Sequence, residues 1–124
     1  MVAVAVLALL VLLLKPVLFG PPSDVPIIDV SADMGGFDRP VIRVRAGEPV
    51  TIRLRSLDDA FHIDGGGRHQ FAVDELGVDI VAGPKATAFQ TFTPQEPGAY
   101  TFYCDVCCGG RANPSMSGRL IVVG

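Results

Sequence analysis

The stretch Val41-Ile-Arg-Val-Arg45, followed after a short break by Thr51-Ile-Arg-Leu-Arg55, decides the fold, because apolar and charged side chains alternate along both segments. Alternation with a period of two is typical of a β-strand with one buried face. Ala46-Gly-Glu-Pro49 has the composition of a turn, so we predict that the two segments pair as a hairpin. The predicted inward side chains are Ile42, Val44, Ile52 and Leu54, and the predicted outward ones are Arg43, Arg45, Arg53 and Arg55.

Short segments of similar character recur along the rest of the chain. Further strands are predicted at 26–31, 69–73, 78–82, 86–93, 99–104 and 118–123, separated by turn signals such as Gly83-Pro84 and Pro97-Gly98. A chain of 124 residues holds at most one domain of this kind. So many short strands in about 100 residues predict an all-β Greek-key sandwich. The net charge of −3 argues against a nucleic-acid partner, since phosphate binding needs clustered positive charge.

The N-terminus has a different composition. Between Val2 and Phe19 the only polar side chain is Lys15, and this length is about 27 Å as a helix, close to a bilayer core. We predict a transmembrane anchor at 1–19, a stiff Pro-rich linker at 20–26 and the sandwich domain at 27–124. The alternative is a secretory signal peptide, although a basic n-region and a small-residue cleavage site are both missing.

A loop near the C-terminus carries the chemistry. Cys104-Asp-Val-Cys-Cys108 places two cysteines four apart, and Met116 follows within the same loop, while His69 lies well upstream. Thiolate, thioether and imidazole are the ligands that soft copper prefers. The alternative is one disulfide, for example Cys104–Cys108, with one free thiol.

Four segments together carry a family resemblance. Glu48–Ser56, Phe71–Val78, Phe92-Thr-Pro and Pro97–Cys104 resemble the periplasmic CuA domain of cytochrome c oxidase subunit II. The resemblance implies a cupredoxin fold and a site in which two coppers share two cysteines, each with a histidine, plus a methionine and a backbone carbonyl. The implied metal ligands in this chain are His69, Cys104, the carbonyl of Val106, Cys108 and Met116.

The chain departs from that family at two places. Ala112 stands four residues after Cys108, where the family has its second histidine, and Asn113 precedes Pro114-Ser-Met116. The amide oxygen of asparagine is a poor substitute for imidazole nitrogen as a copper ligand. The segment 61–68 is an insertion ahead of His69. We therefore expect one copper or none rather than two.

Other residues of the chain have both a structural and a functional interpretation. Cys107 is predicted to be a small buried hydrophobic residue. His62, in the glycine-rich insertion, is predicted to be exposed, yet it is the only other imidazole that could reach a metal. The outward arginines are predicted to form a solvated face, or alternatively one patch that docks to lipid headgroups or an acidic subunit. Acidic residues lie in sequence near the metal ligands, and in the resembling family such acids steer a basic cytochrome c: Asp58, Asp59, Asp64, Asp74, Glu75 and Asp105.

Two hypotheses on function follow. One is a membrane-tethered electron carrier that faces the periplasm from the inner membrane. The other is a metal-free subunit that stabilises a membrane complex, either a respiratory oxidase or a photosynthetic reaction centre. Both imply contact with membrane lipid and with integral-membrane subunits. An enzyme is not expected, because a Ser/His/Asp set, paired catalytic carboxylates and a nucleotide-binding loop are all missing.

Overall fold

The computed structural model describes residues 20–124, and these form two β-sheets. The strands are β1 (Ile27–Asp33), β2 (Gly36–Phe37), β3 (Val41–Arg45), β4 (Val50–Ser56), β5 (His69–Val73), β6 (Val78–Ala82), β7 (Thr87–Phe92), β8 (Gly98–Tyr103) and β9 (Ser117–Val123). Single 3₁₀ turns lie at Gly65–Gly67, Asp74–Leu76, Gly110–Ala112 and Pro114–Met116. All eight predicted strands are present, and only the two-residue β2 was not predicted.

The anchor predicted at 1–19 lies outside the described residues. Within 20–124, no helix has the length and apolar character needed to cross a membrane.

The two sheets are built from strands that are mostly distant in sequence. One sheet has the order β2-β1-β4-β7, with β1 and β4 parallel. The other has the order β3-β9-β8-β5-β6, with β3 and β9 parallel and β8 antiparallel to both β9 and β5. The chain passes from sheet to sheet several times, so the inner faces of both sheets contribute to one core.

The core is apolar and includes three packed aromatic rings. Phe71 and Phe102 stack with ring centroids 4.5 Å apart, and Phe37 packs edge-on against both rings. Edge-to-face and offset-stacked contacts suit the quadrupoles of aromatic rings. The predicted inward side chains are all buried here: Ile42, Val44, Ile52 and Leu54. The alternation in sequence therefore predicted the faces of both strands correctly.

The predicted hairpin between 41–45 and 51–55 is wrong. β3 pairs with β9 in one sheet, whereas β4 pairs with β1 and β7 in the other. In the turn between them, Ala46 donates to the carbonyl of Val123 at the end of β9, and Gly47 donates to that of Pro94, two residues after β7. Each strand has an apolar face that needs an opposing sheet, and this crossover lets the two faces cover each other.

The alternative of a single arginine patch fails for the same reason. Arg43 and Arg45 lie on the outer face of one sheet, and Arg53 and Arg55 lie on the outer face of the other. Arg53 is also paired with Asp29, with Nε 2.6 Å from Oδ1. The four cations are therefore not concentrated on one surface.

Candidate metal centre

The residues predicted to bind metal come from three neighbouring strands. His69 begins β5, Cys104 directly follows β8, and Met116 directly precedes β9. Because β8 lies between β5 and β9 and is antiparallel to both, these three positions meet at one end of the sheet. The loop is closed at its base, where the N–H of Cys104 donates to the carbonyl of Met116 at 2.9 Å.

The imidazole of His69 is held in one orientation. Its Nε2 lies 2.6 Å from Oδ2 of Asp58, and the side chain is only 1% exposed. A carboxylate only accepts, so Nε2 donates this hydrogen bond and Nδ1 faces the opposite way. A carboxylate behind a metal-binding histidine fixes its tautomer and ring orientation in this manner.

Nδ1 of His69 faces two sulfur atoms. The Sγ of Cys104 lies 4.0 Å away and the Sγ of Cys107 lies 3.4 Å away, and the two sulfurs are 3.9 Å apart. Ligand atoms about 2.0–2.3 Å from one tetrahedral ion are roughly 3.3–3.8 Å from one another. One separation lies within this range and the other two exceed it by 0.2 Å or less, so a small inward movement of the side chains would bring the three donors around one ion. Their chemistry suits copper.

The cysteine pairing differs from the one considered from the sequence. Cys107 and Cys108 form a disulfide between adjacent residues, and Cys104 is a buried free thiol. Cys107 is buried, as predicted, but its sulfur faces the histidine, so it is more than a hydrophobic residue. The donor atoms of His69, Cys107 and Cys108 all lie within 4.8 Å of one another. The spacing Cys104-Asp-Val-Cys107 is the sequence signal that could have identified this residue.

The other predicted ligands lie around this centre. Met116 is fully buried and shares an apolar cluster with Cys104 and Cys107. Cys108 is half-buried at the edge of that cluster. The carbonyl of Val106 lies against Gly65, where an added Cβ would be 2.7 Å from the oxygen. The loop residues and His69 at the start of β5 thus place all five predicted residues at one end of the sandwich.

Asn113 has a structural role. Its Nδ2 donates to the carbonyl of Cys108 at 2.7 Å, and its Oδ1 accepts from both the N–H and the hydroxyl of Ser115. These bonds cap the 3₁₀ turn Pro114–Met116. The amide oxygen is therefore engaged inside the loop.

The glycine-rich insertion packs directly on the cysteine loop. Gly65 has a φ of +80°, and an added Cβ would lie 2.6 Å from Cβ of Cys107, so only glycine fits this contact. Asp64 accepts from the N–H of Cys108 at 2.8 Å. His62, predicted to be exposed, is 37% exposed and its Nε2 lies 3.2 Å from Oδ1 of Asp58. The insertion therefore covers the centre and supports the carboxylate behind His69.

The surroundings of His69 and Cys104 shift both pKa values in the direction that favours the charged forms. Burial lowers the pKa of His69, but hydrogen bonds to Cys104 and Asp58 outweigh burial, so the pKa lies above its ordinary value. Burial raises the pKa of the Cys104 thiol, but His69 and the backbone N–H groups of Gln70 and Val106 outweigh it, so the pKa lies below its ordinary value. A stabilised thiolate is the form of cysteine that binds metals.

Arg111 fastens the loop to the sheet. It donates to Asp105 through Nε at 2.8 Å and to Asp74 through Nη1 at 3.0 Å. Its guanidinium carbon also lies 3.7 Å from the centre of the Tyr103 ring, and the Tyr103 hydroxyl donates to Asp74. Hydrogen bonding from Tyr103 first and then from Arg111 holds the pKa of Asp74 below its ordinary value, and Arg111 does the same for Asp105.

We expect Arg111→Ala to loosen the loop at neutral pH, with faster amide hydrogen exchange over 105–113. The depressed carboxyl pKa values mean that this support is complete above about pH 5 and is lost as the pH falls through the folded-state values. Wild-type and variant exchange should therefore converge at acidic pH. Arg43→Ala, on the outer face of β3, is the matched control and should leave the loop unchanged. Equal loop exchange in all three proteins at neutral pH would contradict this role of Arg111.

A buried imidazole and buried sulfur donors at one end of a two-sheet sandwich define a protein of the cupredoxin class. The chain belongs to the cupredoxin family, because the sequence model of a cupredoxin-like domain matches residues 2–122. This confirms the predicted all-β, cupredoxin-like fold.

Solved structures with the same fold include copper proteins and an oxidase subunit. Reduced auracyanin from Roseiflexus castenholzii has a TM-score of 0.64 at 18% identity, with 79% of this chain and 97% of that chain covered. The metal-binding domain of the Cu(I)-exporting P-type ATPase CopA of Streptococcus pneumoniae, solved with Cu(I), has a TM-score of 0.62 at 20% identity (85% and 92% covered). The periplasmic domain of cytochrome oxidase subunit II of Bradyrhizobium japonicum has a TM-score of 0.56 at 19% identity (85% and 88% covered).

Proposed function

We propose that this protein is a membrane-anchored, periplasm-facing electron carrier that holds one copper ion at the end of its sandwich. The observation that carries the proposal is the imidazole of His69, fixed by Asp58 so that Nδ1 faces the Sγ of Cys104 at 4.0 Å. The proposed ligands are His69, Cys104 and Met116, together with a second thiolate from the neighbouring pair Cys107–Cys108. Copper, when bound, supplies one-electron redox chemistry.

The protein's part in this function is to hold the ligands still. Gln70 donates its N–H to the Cys104 sulfur at 3.3 Å, and its Oε1 accepts from the N–H of Asp105 at 2.9 Å. Asp58 fixes the ring of His69, and Met116 is packed without exposure. Ligands on a rigid sheet move little when the charge of the ion changes, which favours fast transfer of one electron. The roles assigned to these residues are binding and positioning, so we propose a carrier rather than an enzyme.

The proposal is tested directly by loading the reduced full-length protein with copper. We expect one copper per chain, a strong thiolate-to-copper absorption and a four-line paramagnetic signal. A seven-line signal from an electron shared by two coppers would show that the loss of the second histidine matters less than we infer. No copper binding by the reduced protein would overturn the proposed function.

The proposed location rests on the sequence and on the chemistry of the site. The apolar segment 1–19 supports an anchor in the inner membrane, in contact with lipid and with integral subunits of an electron-transfer complex. The resemblance to the periplasmic CuA domain of oxidase subunit II supports a periplasmic domain. Protease added to spheroplasts should cut within the linker 20–26, and protection until lysis would contradict this orientation.

The insertion offers a surface for a redox partner beside the copper site. Phe61 is 91% exposed, Ile63 is fully exposed, and the neighbouring Asp59 and Asp64 are exposed acids. Exposed apolar groups with acidic neighbours suit a basic electron-transfer protein, such as a cytochrome c. Electron transfer with such a cytochrome should slow as ionic strength rises and should slow further in Phe61→Ser. A rate independent of both changes would contradict this surface.

We expect Asp58→Asn to weaken copper binding by roughly 10–100-fold, the usual cost of losing an outer hydrogen-bond partner of a metal ligand. The amide cannot supply the negative charge that fixes the His69 ring and supports its basicity. Asp59→Asn is the matched control, because Asp59 is the adjacent residue and its carboxylate accepts only from the loop N–H of Phe61 among the described contacts. Competition with a copper chelator measures both variants. Equal affinities would show that Asp58 does not position the ligand.

A second candidate function is a metal-free structural subunit. The observation that favours it is the amount of bonding that holds the loop without metal, through Asn113, Arg111 and the Cys107–Cys108 disulfide. In that case the protein would stay bound to its complex after purification and would take up no copper even when reduced.

A further inference from the structure

Cys107 lies inside the metal centre, although the spacing of the resembling family passes over it. Its side chain is 5% exposed, and its sulfur is the closest one to Nδ1 of His69, at 3.4 Å against 4.0 Å for Cys104. With the 3.9 Å separation of the two sulfurs, the three donors form a nearly regular triangle. Such a triangle around one ion leaves the buried thioether of Met116 as a further donor.

Cys108 has different surroundings. Its backbone is in the left-handed region, with a φ of 66°. Its N–H donates to Asp64 in the insertion, and its carbonyl accepts from Asn113 at the far side of the loop. The residue is thus bound from both sides at the rim, where it is half-buried. From that position its sulfur reaches the sulfur of Cys107.

We propose, building on the function proposed above, that Cys107 supplies the second thiolate of the centre and that Cys108 is its redox partner. In the disulfide form, the Cys107 sulfur is bonded to Cys108 and carries no negative charge. Only Cys104 then remains as a thiolate beside His69. The disulfide is therefore the form of the protein that does not take up metal, and reduction restores a site for one ion.

A dithiol reductant can supply the two electrons and two protons that reduction of the Cys107–Cys108 disulfide requires. One thiolate of the reductant attacks the Cys107–Cys108 bond and releases one cysteine as a thiolate, and the second thiol of the reductant then closes its own disulfide. The sum is two electrons and two protons transferred to Cys107 and Cys108. Binding of Cu(I) then replaces the proton of the Cys107 thiol. An oxidising disulfide reverses the first reaction and removes the ligand.

The test compares two serine variants of the full-length protein, Cys107→Ser and Cys108→Ser, after anaerobic reduction. Cu(I) is titrated against a chromogenic Cu(I) chelator, and circular dichroism confirms that each variant is folded. We expect Cys108→Ser to bind Cu(I) as tightly as the reduced wild type. Cys107→Ser should bind Cu(I) more weakly by over roughly 100-fold, which is more than the loss expected when only an outer hydrogen-bond partner of a ligand is removed. In the wild type, Cu(I) should protect Cys104 and Cys107 from alkylation while Cys108 stays reactive.

The second arm of the test examines the switch. Wild-type protein oxidised with a disulfide reagent should lose Cu(I) affinity by a similar factor and regain it after reduction, whereas Cys108→Ser should be insensitive to that treatment. Loss of Cu(I) binding in Cys108→Ser, with binding retained in Cys107→Ser, would overturn this inference but not the proposed function. Equal affinity of oxidised and reduced wild type would overturn the switch. Reduced wild type that binds no Cu(I) would overturn the proposed function and this inference together.

Discussion

A Cys104→Ser protein is expected to lose most of its thiolate-to-copper absorption while keeping its fold. Cys104 is the free thiol in the structure, it is fully buried, and His69 and the N–H of Gln70 both face its sulfur. Serine offers a hard oxygen that stays protonated at neutral pH, so it cannot replace a soft thiolate. Its hydroxyl can still accept from Gln70, so the substitution leaves no buried polar group without a partner.

Met116→Leu is the matched control for Cys104→Ser. Met116 is equally buried, and leucine has a similar volume, so this change should cost less than about 1.5 kcal/mol of stability. It should retain the thiolate-to-copper band, because a thioether is a weak ligand, and change mainly the reduction potential. Absorption titrations and thermal melting distinguish the two variants. A strong charge-transfer band in Cys104→Ser would show that another cysteine makes the main bond to copper.

The sequence predicted those features of the fold that depend on the local pattern of residues. Alternation identified the buried faces of β3 and β4, and turn residues marked the ends of the other strands. The pattern could not identify partners, because a strand with one apolar face fits equally well beside a neighbour in sequence or a distant strand. The pairing of β3 with β9 depends on the closure of two sheets over one core, which no single segment encodes.

The metal centre, like the fold, could be predicted from the sequence only in part. His69 and Cys104, both predicted from the sequence as ligands, face each other, since both are fixed by the ends of regular strands. The spacing Cys104-Asp-Val-Cys107 makes Cys107 a candidate ligand, but the direction of its side chain could not be predicted from the loop alone, because it depends on the positive φ of Cys108 and on the insertion that packs against Cys107. Asp58 was considered only as part of an acidic surface, and its contact with His69 arises from the path of the insertion. Nothing in the local sequence distinguishes it from Asp59 next to it.

We expect Gly118→Ala to be clearly destabilising, although it adds only one methyl group. An added Cβ would lie 2.6 Å from Cε2 of Phe102 and 2.7 Å from the carbonyl oxygen of Pro40, and closer still to Cζ of the same ring. Phe102 cannot move easily, because it is fully buried and packed between Phe37 and Phe71. Overpacking of this kind costs about 1–3 kcal/mol, which corresponds to a melting temperature lower by roughly 5–15 °C.

The same change should reach the metal centre, because Gly118 lies two residues after Met116 and Phe102 lies two residues before Cys104. Pushing the two strands apart would separate the ligands at their ends, so copper affinity should fall together with stability. Gly83→Ala is the matched control: its added Cβ would meet only Ala86, at 3.9 Å, and we expect a melting temperature that is unchanged or slightly raised. If Gly118→Ala has the same melting temperature as the wild type, the ring of Phe102 has room to shift. The packing between the two ligand-bearing strands is then looser than the structure indicates.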